Sequence, residues 1–258
     1  MAIKLKKVSA AYGEKLALEN INVEFQSERI TGIIGPSGSG KTTLIEVSAM
    51  FQRPAEGHVF IKQNKKIGFV FEFPEKQFFC NSVYDELRYG LKDKRNEKRI
   101  IDVMKIVGLE EHYLNRNPFK LSNGEKRRVA IAAILIGNPD IIILDEPTIG
   151  LDKNSKDNLI RLIKLLKEKF KKTIIIVSQD IDFVYDLVDD VCVINLGKLV
   201  AHGEKQKVLT QVDLLEENLI KAPKMVELTN KIKERTKEKM VFHQDINDLL
   251  KDIYRYAK

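Results

Sequence analysis

The sequence predicts an α/β domain that carries a helical insert and ends in a small helical C-terminal extension. The apolar run Ile30 to Ile34 passes directly into a glycine-rich turn and then into helical sequence, the order of a buried strand, a loop and a helix. A second buried run, Ile141 to Leu144, follows an amphipathic segment and is followed by more helix-then-strand sequence, which is an α/β alternation. Beyond Gly203 the glycines cease and the chain reads as helical to its end.

The elements follow in order. Ile3 to Leu5, Ile21 to Phe25 and Ile30 to Ile34 read as strands, and Thr42 to Met50 as a helix. His58 to Lys62 and Ile67 to Phe71 are further strands. From Asn81 to about Val107 the pattern is helical and polar, with Ile100, Met104 and Val107 on one face and Gly108 at the helix stop. A helix over Gly124 to Gly137 leads into the strand Ile141 to Leu144. Helix Ser155 to Phe170, strand Thr173 to Val177, a helix from about Asp182, and the hairpin of Val191 to Asn195 with Leu199 to Ala201 complete the core. The reading therefore places one domain over residues 1–205, its helical subdomain over about 81–138, and an extension over 206–258. The extension has apolar positions at Leu215, Leu219, Ile220, Met225, Val226 and Leu228, then Ile246, Leu249, Leu250 and Ile253. It reads as a second small domain or an interaction module, with the charges of Lys231 to Lys239 on solvated faces.

At 258 residues, with 43% hydrophobic and 31% charged side chains, the chain is an ordinary globular one. Cys80 and Cys192 are too few for a disulfide framework, and with the histidines they show no metal-ligand spacing. The N-terminus lacks the apolar stretch of a secretory signal, and no apolar run approaches the roughly 20 residues of a spanning helix, so a membrane role is expected to come through a partner. The net charge of +7 fits a lysine-rich surface with solvated helix faces or a basic surface for an anionic partner. Aromatic residues do not interleave with basic clusters, so no nucleic-acid partner is expected.

Gly35-Pro36-Ser37-Gly38-Ser39-Gly40-Lys41-Thr42 fits G-x-x-x-x-G-K-[ST] between a strand and a helix, with Thr43 following. Backbone N–H groups can wrap a phosphate chain where side chains do not obstruct it, Lys41 brings positive charge to the β- and γ-phosphates, and the Thr42 hydroxyl can ligate Mg²⁺. The strand Ile141 to Leu144 delivers Asp145 and Glu146 at its end. Asp145 suits Mg²⁺ coordination and Glu146 a general base beside the γ-phosphate. ATP and Mg²⁺ are the expected cofactors.

Leu121-Ser122-Asn123-Gly124-Glu125-Lys126, taken with the loop and with Asp145-Glu146-Pro147, resembles the ABC ATPase family, whose signature is Leu-Ser-Gly-Gly-Gln. The resemblance implies a P-loop NTPase fold of the ABC nucleotide-binding type and ATP hydrolysis driving membrane transport. It further implies that Ser122 and Gly124 contact the γ-phosphate of ATP held by the opposing subunit of a head-to-tail dimer. Ser-x-Gly ahead of a helix also reads as an N-cap, and both readings can hold together. Tyr12 falls where an aromatic residue stacks on adenine in the family, although a lone tyrosine is equally a core residue. Gly150-Leu151-Asp152 resembles the loop that communicates across the dimer.

Phe71-Glu72-Phe73-Pro74-Glu75-Lys76-Gln77-Phe78, the stretch Ser82 to Glu86 and Lys126 to Ala132 are similar to the ATPases of energy-coupling-factor (ECF) importers, which take up vitamins or transition metals. Pro223 to Leu228 resembles part of their dimerisation extension. This resemblance implies a homologous ATPase partner, a transmembrane coupling subunit docking beside Glu72 to Phe79, a substrate-binding membrane subunit, and a peripheral position on the cytoplasmic face of the membrane. Glu72 stands where the family has a glutamine serving Mg²⁺ and the attacking water. Gln179 stands where it has a histidine hydrogen-bonding the γ-phosphate. These two departures lead to the expectation of a heterodimer with one impaired and one competent site. A largely non-hydrolysing ATP-dependent clamp and another ABC transporter class are the competing readings. The chain lacks room for the coiled coils or the second cassette of soluble ABC proteins acting on DNA or ribosomes.

Overall fold

The computed structural model describes residues 1–13, 15–236, 242 and 247–251. The chain opens with β1 (Ile3–Tyr12), β2 (Lys15–Phe25) and β3 (Ile30–Ile34), then α1 (Lys41–Ser48), β4 (Glu56–Ile61) and β5 (Ile67–Val70). The helical insert contributes α2 (Val83–Tyr89), α3 (Lys98–Ile106) and α4 (Asn123–Ile136). The chain then alternates through β6 (Ile141–Asp145), α5 (Lys153–Glu168), β7 (Thr173–Val177), α6 (Ile181–Leu187), β8 (Asp190–Asn195) and β9 (Lys198–Glu204). The extension holds α7 (Lys205–Leu209), α8 (Val212–Glu217) and α9 (Lys224–Thr236).

The strands form two sheets. One is antiparallel, in the order β2-β1-β4; the other runs β5-β6-β7-β3-β8-β9, parallel except for β9. The apolar strands β3, β6 and β7 are buried at every residue because both faces of the parallel sheet are covered. Ile141 and Ile143 of β6 pack with Leu44 and Ile45 of α1 and with Val8 and Phe25 of the antiparallel sheet. Their neighbours Ile142 and Leu144 face the opposite way, into a core shared with Val129, Leu159, Phe183 and the extension's Leu215 and Val226. Strand alternation thus splits one apolar run between two cores.

The structure differs from the sequence reading in particular places. The short strands expected at Ile3 to Leu5 and Ile21 to Phe25 are the ends of a long β1–β2 hairpin. Its middle is rich in Ser and Ala, which carry little strand signal by themselves. The helix expected at Thr42 to Met50 starts and ends earlier. The block from Asn81 to Val107 is two helices, with Gly90 as the C-cap of α2 and a polar turn before α3. Ile100, Met104 and Val107 are buried together, as their spacing predicts. In the extension, Leu215 and Val226 are wholly buried whereas Leu219 is 81% exposed. Ile246, Ile253 and the end of the Lys231–Lys239 run lie outside the described residues.

Candidate active site

The phosphate loop spans the gap between the C-terminal end of β3 and the start of α1. Gly40 caps α1 with φ 105°, and a side chain there would strike the Ala17 carbonyl at 2.6 Å, so the loop can pass this close to β2 only with glycine. Gly38, with φ 74°, has open space where a Cβ would stand. Among the described residues the N–H groups of Ser37, Gly38 and Gly40 have no hydrogen-bond acceptor, whereas that of Ser39 bonds the Pro36 carbonyl at 3.2 Å. The loop is braced from behind, since Gly197 in the β8–β9 turn donates to the Ser39 carbonyl at 2.9 Å. Lys41 is buried, and its ammonium donates to the carbonyls of Gly35 and Pro36 at 2.9 and 2.8 Å. A lysine has three donors, so one remains for a phosphate. Burial holds the Lys41 pKa below its usual value, partly offset by Glu146 and Asp145. The Ser39 hydroxyl is also buried with no partner. The loop therefore presents unpaired N–H groups, an ammonium and a hydroxyl in one concave turn, which is anion-binding chemistry.

Asp145 ends β6 and is 4% exposed. Thr42 Oγ1 lies 3.5 Å from Asp145 Oδ2, while Oδ1 has no partner. Burial, together with the negative charges of Glu72 and Glu46, pushes the Asp145 carboxyl up to about 6. An orphaned buried carboxylate oxygen beside a hydroxyl is a donor set that suits a hard cation, and Mg²⁺ fits it. Glu146 follows with φ 42°, a left-handed conformation costly for a residue with a side chain. It is kept there by Glu146 N–H bonding the Val177 carbonyl at 2.9 Å. Its Oε2 accepts from the Gln179 N–H at 3.1 Å and its Oε1 is buried and unpaired, with burial raising its pKa.

The structure brings Thr42, Asp145, Glu72 and Glu146 into one electrostatic neighbourhood with Lys41. The Gln179 backbone also joins it, through Glu146. Gln179 is exposed and lines a cavity of about 260 Å³ with Gly35 and Pro36. Tyr12 is 53% exposed, donates to Glu46 Oε2 at 2.7 Å and lies beside Thr43, so it is a surface residue and not a core one. Ser122 and Gly124 stand apart, since no hydrogen bond among the described residues joins them to the loop. Ser122 is the N-cap of α4. Its N–H donates to Glu125 Oε2 at 2.8 Å while its hydroxyl accepts from the Glu125 N–H at 3.4 Å, a reciprocal capping box. Glu125 also accepts from the Tyr113 hydroxyl at 2.7 Å, so the residue at this position, like the glutamine of the family signature, can serve the helix start.

Arg127 was not singled out by sequence reasoning, although it lies on the quoted Lys126–Ala132 run. It is 3% exposed and donates to the carbonyls of Phe71, Glu72 and Glu146 at 2.7, 2.8 and 3.3 Å. Burial draws its pKa down to about 10. A single guanidinium thereby sets the loop carrying Glu72 against the strand end carrying Glu146. The extension also reaches the site, because Leu219, Ile220 and Lys221 complete the walls of the Gln179 cavity. Asn195 anchors them by donating to Asn218 Oδ1 at 3.0 Å.

A family model for the ABC transporter matches residues 18–149. The chain is 34% identical over 258 residues to the energy-coupling factor transporter ATP-binding protein EcfA2 of Caldanaerobacter subterraneus subsp. tengcongensis, covering 91% of this chain and 90% of that protein. It is 38% identical over 239 residues to EcfA1 of Mycoplasma mobile, covering 86% of each. Among solved structures it resembles cbiO1 from Clostridium perfringens, part of the ABC transporter complex cbiONQ, with TM-score 0.76 and 29% identity over 89% of this chain and 98% of that one. A dimeric ATP-binding cassette bound to ADP and Pi matches with TM-score 0.70 and 30% identity over 78% of this chain and 98% of that one. The chain belongs to the ABC transporter ATPases, in the branch of the energy-coupling factor ATP-binding proteins.

Proposed function

We propose that this chain is a motor subunit of an ECF-type importer for a vitamin or transition metal. It works as a head-to-tail dimer with a second homologous ATPase on the cytoplasmic face of the membrane. Its membrane partners are a transmembrane coupling subunit and a substrate-binding subunit, and residues 206–258 help the dimer to form. The observation that carries this reading is the buried, unpaired Glu146 Oε1 held by a strained backbone next to Lys41. A carboxylate kept out of water with its pKa raised is a stronger base than a solvated one, as an acceptor of the attacking water's proton must be. Mg²⁺, held by Thr42 and Asp145, would neutralise phosphate charge when bound. Lys41, the free loop N–H groups and the Ser39 hydroxyl grip the phosphates, and Tyr12 offers an exposed ring for the base.

The two departures support an unequal pair of sites. Glu72 adds an anion close enough to raise the Asp145 pKa, which favours a cation and opposes the γ-phosphate. Gln179 keeps a donor at the site and lacks the positive charge available to a histidine. One composite site therefore turns over slowly and the partner's site fires. The exposed rings of Phe79 and Tyr89, which meet edge to face with centroids 4.6 Å apart, offer an apolar surface that fits docking of the coupling subunit. Purification of the chain from native membranes, with identification of what accompanies it, tests the reading. Recovery with a second ATPase and membrane subunits supports it, and an isolated homodimer hydrolysing ATP at ordinary ABC rates refutes the unequal pair.

A further inference from the structure

Tyr12 is the last residue of β1, paired with Lys15 of β2 at the end of the β1–β2 hairpin, and Gly13 follows it with φ 59°. A half-exposed ring at a hairpin end has several rotamers open to it, and fixing one of them costs entropy. Two contacts tie this ring to α1. Gln52, just past the end of α1, donates from its side chain to the Ala11 carbonyl at 3.2 Å and holds the backbone ahead of the tyrosine. The Tyr12 hydroxyl donates to Glu46 Oε2 at 2.7 Å, a short bond to a carboxylate, with Thr43 beside it. Glu46 lies about one turn beyond Thr42 on α1, the helix into which the phosphate loop runs. The position of the ring is therefore set by the same helix that carries Lys41 and Thr42.

We propose that Glu46 is a positioning residue for the nucleotide base. By accepting the phenol hydroxyl it fixes the Tyr12 ring at a set place relative to the phosphate loop, so that adenine stacks on the ring while its phosphates lie in the loop. A ring already held in place loses little further freedom when the base arrives. The gain therefore falls on ligands that carry a base, and a bare phosphate chain on the same loop receives none of it. The inference rests on the ATPase reading, in which the Tyr12 ring carries the base.

The test is calorimetric titration of the full chain with AMP-PNP and with inorganic triphosphate, both with Mg²⁺. Glu46→Ala is expected to weaken AMP-PNP about three- to tenfold relative to triphosphate, through loss of a hydrogen bond that holds one ring rotamer. The triphosphate reference cancels any effect of the Glu46 charge on the metal and phosphates, since that effect acts on both ligands. Tyr12→Phe keeps the ring and loses the hydroxyl, so it is expected to match Glu46→Ala, and the double variant to lose less than about twofold more. Glu46→Gln keeps an acceptor for the hydroxyl and is expected to stay within about twofold of wild type. An unchanged ratio of AMP-PNP to triphosphate affinity in Glu46→Ala, or additive losses in the double variant, overturns the inference. Tyr12→Ala separates this failure from that of the underlying reading. Loss of the stack is expected to cost AMP-PNP about tenfold or more relative to triphosphate, and no loss there overturns base stacking on Tyr12 itself.

Discussion

Replacing Asp145 with asparagine tests whether the carboxylate proposed to bind the metal is held at a cost when no cation is present. In the folded chain burial and the charges of Glu72 and Glu46 raise this carboxyl from an ordinary 3.8 to about 6. The folded state therefore binds the proton more tightly than the unfolded state. Stability is full below about pH 3.8, falls as pH rises through the folded pKa, and is level above about pH 6–7. A rise of that size corresponds to about 3 kcal/mol at neutral pH, or about 6–12 °C in Tm for a chain of this length. The asparagine amide carries no charge, so Asp145→Asn escapes this loss. Thermal unfolding followed by circular dichroism in EDTA, from pH 4.5 to 7.5, reads the difference. The variant's Tm is expected to gain on wild type across that window and to hold its lead at the top of it. Parallel pH profiles for the two proteins would show that Asp145 is not strained by its burial, and the argument for an orphaned cation ligand would fall.

Glu146→Gln removes the proposed base and is expected to cut turnover in the native assembly by about 10²–10⁴, with ATP binding intact by filter assay. A loss below tenfold would mean that Glu146 is not the base of a firing site. Gln179→His restores a group able to carry positive charge near the γ-phosphate. It is expected to raise turnover, and unchanged or lower activity in the native complex sinks the impaired-site reading. Lys221→Gln takes an exposed ammonium from the mouth of the Gln179 cavity. The expected result is a rise in KM for ATP of up to about fivefold with kcat retained, the size of a solvated charge contact. Phe79→Asp puts a charge into the exposed aromatic surface and is expected to abolish co-purification with the membrane subunits while ATP binding persists.

Residue type and spacing were sufficient to place the elements of the candidate nucleotide site. Gly35 to Thr43 and Asp145-Glu146 each lie where a buried apolar strand ends, so the local pattern names both the element and the chemistry at its tip. Ser122 was legible in the same way, because N-capping is a local hydrogen bond between neighbours in sequence. The β1–β2 hairpin and the break between α2 and α3 were harder to read, since alanine, serine and polar runs leave strand pairing and helix length to tertiary contacts.

The sequence by itself determined that a glycine-rich loop joins a buried strand to a helix and that two carboxylates end a second buried strand, because strand, loop and helix are set by short-range periodicity and backbone sterics. Only the tertiary structure decided what holds those residues to one another. Arg127 is the middle one of three consecutive basic residues, Lys126 to Arg128, until folding buries it against the carbonyls of Phe71, Glu72 and Glu146. Lys221 lies far from the phosphate loop along the chain and arrives beside Pro36 and Gln179 because Asn218 and Asn195 pin the extension there. These are contacts across long stretches of chain, fixed by burial and desolvation, and no local pattern encodes them.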